Sequence, residues 1–227
     1  MAQLAHGITV TTFNGYDLHA AVTSPGVETI LLAGDAEMTL DTCPAPHTPD
    51  IPATQLKRNL FLGAADSSGR YPVLDCNLMS NRILVTSGYV LTLKHLILRN
   101  CSMEEEFQFF EKANNATIVF DDVIENKGST CAPPKAVYSM YSRQLRPAVG
   151  APAEQQLQVA EAGTNWCIPE NTLPGVPRLT PSTDPLCDLQ ALLLQDVVLA
   201  KPTRKGEGTW YMVYRNVVQV RLGRTSS

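Results

Sequence analysis

The chain has 227 residues, of which 44% are hydrophobic and 18% charged, with a net charge of −4. That balance excludes a disordered chain, and it excludes a long-range positive field of the kind that gathers nucleic acid. No run approaches the ~18 apolar residues of a membrane-spanning helix, because the best stretch, Val90 to Leu98, is broken by Lys94 and His95.

In chain order, Gly15 to Val22 reads as a short helix with Leu18, Ala21 and Val22 along one face, stopped by Pro25-Gly26. Strands follow at Val27 to Gly34 and Met38 to Asp41, and together residues 7–41 make an N-terminal cap and first coil. Pro44, Pro46, Pro49 and Pro52 mark a loop, after which residues 42–126 read as central coils. Their strands lie at Leu60 to Gly63, Pro72 to Cys76, Arg82 to Arg99 and Ala116 to Ile124. Residues 127–186 hold nine of the 16 prolines and read as a long insertion, with one helix expected at Ala153 to Ala162 behind Pro152. Residues 187–222 read as the last coils.

Four segments repeat one pattern: apolar, any residue, turn-forming polar, then two apolar. They are Leu93–Ile97, Phe120–Ile124, Leu194–Val198 and Tyr214–Val218. Matched positions in successive segments are 27, 74 and 20 residues apart. Steps of this size, with 74 holding either three turns or one turn plus an insertion, are those of a wound β-solenoid, in which matched positions stack ~4.8 Å apart. The expected inner rows are Leu93, Phe120, Leu194, Tyr214 and Leu96, Val123, Val197, Val217. His95, Asp122, Asp196 and Asn216 would occupy the bend, where Asp and Asn tolerate left-handed backbone. Asp121, Lys94, Gln195 and Arg215 would form a mixed-charge outer row.

Six cysteines (Cys43, Cys76, Cys101, Cys131, Cys167 and Cys187) permit up to three disulfides. Cys76 and Cys101 each end an apolar strand one period apart, a spacing that fits either a bridge or two stacked thiols. None shows zinc-ligand spacing, so no metal site is expected. The start of the chain shows neither a basic leader nor an apolar core. A cytoplasmic protein and a processed extracellular or cell-surface piece both stay open. Lys201, Arg204, Lys205, Arg215, Arg221 and Arg224 face only Glu207, which reads as a solvated rim.

The phrases DLHAAVTSPGVETILLAGD, RNLFLGAADSSGRYPVLDCN and LTLKHLILRN resemble the capping helix and successive coils of the right-handed parallel β-helix, the pectate-lyase-like superfamily. The resemblance covers about two thirds of the chain and implies an all-β solenoid domain over residues 1–227. It also implies two functions. The first is a non-catalytic scaffold or adhesion module presenting a face and a long loop to a carbohydrate or protein partner. The second is a lyase or hydrolase on acidic polysaccharide, with Ca²⁺ as cofactor in the lyase case only. Asp121, Lys94 and Arg215 are the candidate catalytic residues. Tyr138, Tyr141, Arg143 and Trp166 in the insertion are candidate binding residues, since these types favour binding hot spots. The scaffold is the expected function, because the signatures of the polygalacturonase branch are missing. Little follows Leu222 to roof the last coil. The end is therefore expected to continue in a longer solenoid, to pair end to end with a partner, or to be covered by the insertion folding back.

Overall fold

The computed structural model describes residues 7–43, 54–66, 71–103, 106–126, 134–147, 154–159, 166–167, 180–181, 189–203, 206 and 208–222. It is an all-β protein with few helices and one large, mostly parallel sheet. Chain passes run through three parallel stacks in a fixed order. The first stack holds β1 (Ile8–Thr12), β2 (Val27–Leu32), β5 (Leu60–Ala64), β8 (Val90–Lys94) and β13 (Thr117–Asp121). The second holds β3 (Ala36–Glu37), β6 (Val73–Asp75), β9 (Ile97–Arg99) and β14 (Ile124–Asn126). A separate sheet forms the third stack, from β4 (Thr54–Leu56), β7 (Ile83–Val85) and β12 (Phe110–Lys112). A small antiparallel pair, β10 (Ser102–Met103) and β11 (Glu106–Phe107), lies between β9 and β12.

One long strand, β19 (Thr209–Leu222), pairs with β13 along its first half and with β14 along its second, joining the first two stacks. The sheet path ends at β1 and β3, so the sheet does not close on itself. The corner between these stacks requires left-handed backbone, supplied by His95 (φ 58°), Asp122 (φ 59°) and Asn216 (φ 54°). The corner from the third stack back to the first uses Gly88 (φ 79°) and Asn115 (φ 59°) in the same way.

Register fixes the core. Leu62, Leu93, Phe120 and Tyr214 are successive partners, all buried. Leu96, Val123 and Val217, one place past each corner, are buried as well. The expected parallel placement of Leu194 and Val197 is corrected. β18 (Leu189–Pro202) runs antiparallel to β19, setting Leu194 opposite Val217 and Val197 opposite Tyr214. The 20-residue step there is a hairpin, not a coil, so Asp196 lies in a strand and leaves the bend.

The insertion also departs from expectation. Its helix is α2 (Pro134–Ser142), whereas the expected 153–162 helix is replaced by β15 (Gln156–Val159), antiparallel to β18. The alternation in Gln156-Leu157-Gln158-Val159 is a strand period, and the free edge of β18 captures it. The Gln155 side chain extends that edge like a peptide group: its Nε2 donates to the Val198 carbonyl (2.8 Å) and its Oε1 accepts from the Val198 N–H (3.1 Å). β16 (Trp166–Cys167) and β17 (Thr180–Pro181) complete the sheet.

The described ends of the core are both covered. α1 (Gly15–Thr23) buries Leu18, Ala21 and Val22, and its Asn14 cap accepts from the Asp17 N–H at 3.0 Å. Gly15 lets it approach β3, since a Cβ there would lie 2.1 Å from the Glu37 carbonyl oxygen. Arg58 closes the other end of α1, donating to the carbonyls of Ala21, Val22 and Val27. Burial pulls the Arg58 guanidinium down from its ordinary value, and Glu28 opposes that. At the far end, α2 buries Val137 and Tyr141, and the Tyr141 ring lies 6.5 Å from that of Tyr214. The α2 part of the insertion therefore folds back onto the core. β19 has both edges paired, so an end-to-end contact through it has no free edge to use.

Cys76 and Cys101, at the ends of β6 and β9, form a disulfide with Cα atoms 4.7 Å apart. Cys43 is corrected to a free, buried thiol, which burial pushes up in pKa against the opposing charge of Arg82. Cys131 and Cys187 lie outside the described residues, and of Cys167 only the backbone is described. The bridge closes a 25-residue span, so chain entropy predicts a loss of about 3 kcal/mol in a Cys76→Ser/Cys101→Ser variant. Urea midpoints with and without reductant check this: reduction should lower the parent and leave the variant unmoved.

Candidate functional site

The outer face of the first stack carries a row of alternating charge. Lys94, Asp121, Arg215 and Asp196 are register partners on β8, β13, β19 and β18, and the chain following α2 adds Arg146. The Lys94 ammonium lies 2.9 Å from an Asp121 oxygen, with side chains 47% and 25% exposed. Arg146 grips Asp196 through two N–H donors at 2.5 and 3.0 Å, which raises its guanidinium further. Arg215 is exposed between the two carboxylates and makes no ion pair among the described residues.

Lys94, Asp121 and Arg215 are thus brought together as the spacing predicts. Gln195 is not among them, because the register skips it and sets Asp196 opposite Arg215. Arg146 was not anticipated. It lies 50 residues from its partner, and no local pattern links the two.

One position on, the corner forms a compact polar cluster. Asp122 Oδ2 accepts from Tyr71 O–H and from His95 Nδ1–H, each at 2.7 Å, and its Oδ1 accepts from Asn216 Nδ2 at 2.9 Å. The Tyr71 ring stacks on the imidazole with centroids 3.6 Å apart. Since the carboxylate is the acceptor, Nδ1 carries the proton, and His95 Nε2 is left buried without a partner. A carboxylate orienting an imidazole can serve general-base chemistry only where the far nitrogen reaches a substrate. Here His95 is 5% exposed and that nitrogen meets no solvent. The cluster therefore holds the corner in shape.

Of the binding residues expected in the insertion, the three whose side chains are described do not share one surface. Tyr138 and Arg143 are exposed on and after α2, whereas Tyr141 is wholly buried against the core. The Trp166 side chain is not among those described. His19 is half-buried, and burial lowers its pKa. His6, His47, Glu104 and Glu105 lie outside the described residues. Among the described residues, no three His, Cys, Asp or Glu side chains group to hold a metal, and no helix is long and apolar enough to cross a membrane.

A second polar pair sits in the core itself. Glu125 and Gln219 are 1% and 0% exposed, and Gln219 Nε2 donates to Glu125 Oε2 at 2.9 Å. Removing Glu125 strands the Gln219 amide, whose Oε1 is already buried without a hydrogen bond. Glu125→Leu is therefore expected to cost about 2 kcal/mol, and its urea midpoint against that of the parent checks this.

Comparison with family models, with curated proteins and with solved structures gives no match for this chain. Its class is that of an all-β protein built on a large parallel sheet, with an exposed row of alternating charge and a buried polar corner.

Proposed function

We propose that this chain is a right-handed parallel β-helix of the pectate-lyase-like kind, acting as a non-catalytic binding module for an acidic polysaccharide. The repeated order of the three stacks and the left-handed corners support the solenoid reading. Arg215 carries the functional one: an exposed guanidinium in the middle of the outer row, flanked by carboxylates that Lys94 and Arg146 already engage. A uronate carboxylate would complete it by bidentate pairing.

A hydrolase is the second reading, and one observation favours it. Asp121 and Asp196 stand two strands apart on one face, ~9.6 Å by strand spacing, near the upper limit for an inverting acid–base pair. Against it, each carboxylate is already engaged by its own cation, Asp121 by Lys94 and Asp196 by Arg146.

The test is binding and turnover on polygalacturonate and alginate, with and without Ca²⁺. Retention without chain cleavage is expected, and Arg215→Ala should weaken it at least ~10-fold, with attraction fading as salt rises. New unsaturated or reducing ends that disappear in Asp121→Asn would reverse the ranking of the two readings.

A further inference from the structure

The third stack carries a different surface. Between its strands and the start of β19 lies a pocket of about 200 Å³ lined by Ser80, Asn81, Gln108, Glu111, Lys112 and Trp210. Its walls come from three chain passes. The Asn81 N–H donates to the Gln108 carbonyl (2.8 Å), fixing two of them edge to edge. Trp210 spends its indole N–H on the Pro202 carbonyl at 3.1 Å. The Lys112 ammonium is seated on the Phe107 carbonyl and lies 4.7 Å from the centre of the Trp210 ring. Indole and lysine stem thus make a fixed apolar wall.

The remaining lining side chains are unspent. Ser80, Asn81, Gln108 and Glu111 make no side-chain hydrogen bond among the described residues, although all four face one small cavity. Two primary amides, a hydroxyl and a carboxylate offer donors and acceptors together. Glu111 and Lys112 cancel in charge, so nothing favours an ionic ligand. The volume falls below that of drug-sized sites, which limits the occupant to a single small ring.

We propose that this pocket binds one neutral pyranose, the terminal sugar of a glycan, whose adjacent hydroxyls donate to the Glu111 carboxylate and exchange hydrogen bonds with the Gln108 and Asn81 amides. The proposal rests on the binding-module reading and adds to it a second subsite on another stack, for an uncharged sugar.

Saturation-transfer NMR on the full chain with glucose, galactose, mannose and N-acetylglucosamine tests it. At least one should show transfer, with a dissociation constant on the order of 1–10 mM. Gln108→Ala/Glu111→Ala should weaken it at least ~10-fold and leave the melting temperature unchanged, because neither side chain bonds within the protein. Arg215→Ala should leave sugar transfer intact. Absence of transfer from all four sugars, or transfer surviving in the double variant, overturns the pocket. If Arg215-dependent binding of polygalacturonate persists in that case, the module reading stands without it; if that also fails, both fall.

Discussion

Phe120→Ala is expected to destabilise the protein by about 4 kcal/mol, the upper range for removing a buried aromatic ring. Phe120 is wholly buried, set between Leu93 below and Tyr214 above by strand register. Its ring stacks on Tyr214 at 5.1 Å and meets the edge of Phe107 at 5.2 Å. Removing it opens a void in a column whose neighbours are fixed by backbone pairing on both sides, so little collapse can fill the space. It also forfeits two aromatic contacts worth about 1 kcal/mol each. Thr92→Ala, on β8 but facing outward beside Val119, should stay within about 0.5 kcal/mol. Urea unfolding with unchanged slopes is the measurement. A cost below about 1 kcal/mol for Phe120→Ala would mean that the column is not the interior.

That column was legible in the sequence because a corner leaves a local trace. On a straight strand inward positions alternate, and at a left-handed corner the alternation slips by one. Leu93, then Leu96, and Phe120, then Val123, record that slip. Leu194 and Val197 record the same slip for a different reason. β18 must bend where β19 bends, so its inward set changes parity opposite Asn216. The pattern encodes a corner and carries no information on strand direction, which is why an antiparallel hairpin passed for a further coil. Tyr141, wholly buried, shows a related limit: in a sequence, a tyrosine that caps a core and one that binds a ligand look alike without the neighbour that decides between them. In the candidate sites, Lys94, Asp121 and Arg215 fall at matched places in a repeat and could be found. Arg146, Tyr71 and the residues lining the pocket come from turns and from separate passes. Only the register between passes brings them together.

Asp122→Ala is expected to cost about 4 kcal/mol, although the residue is near the surface and its side chain is 18% exposed. Two effects combine. Alanine at φ 59° meets a steric penalty of roughly 1–2 kcal/mol that aspartate relieves with its own side chain. The substitution also removes the acceptor shared by Tyr71, His95 and Asn216, and hydrogen bonds to a charged group contribute about 1.5–3 kcal/mol each before shared loss is discounted. Asp122→Asn separates the two. Asparagine keeps the left-handed preference and one carbonyl acceptor, but it turns an N–H₂ toward groups that already donate, so about 2 kcal/mol should be lost. His95→Phe offers a further check, since it keeps a ring against Tyr71 and removes both the Nδ1 donor and the buried, unpartnered Nε2. Its cost should fall below that of Asp122→Ala. If the corner is structural, Asp122→Asn should bind polygalacturonate within about twofold of the parent wherever it is folded. A collapse of binding without loss of stability would instead make Asp122 part of the binding surface. The structural outcome follows from where the carboxylate sits. It lies at the level between His95 on one pass and Asn216 on the next, so one ionised group ties three layers of backbone at the point where each turns.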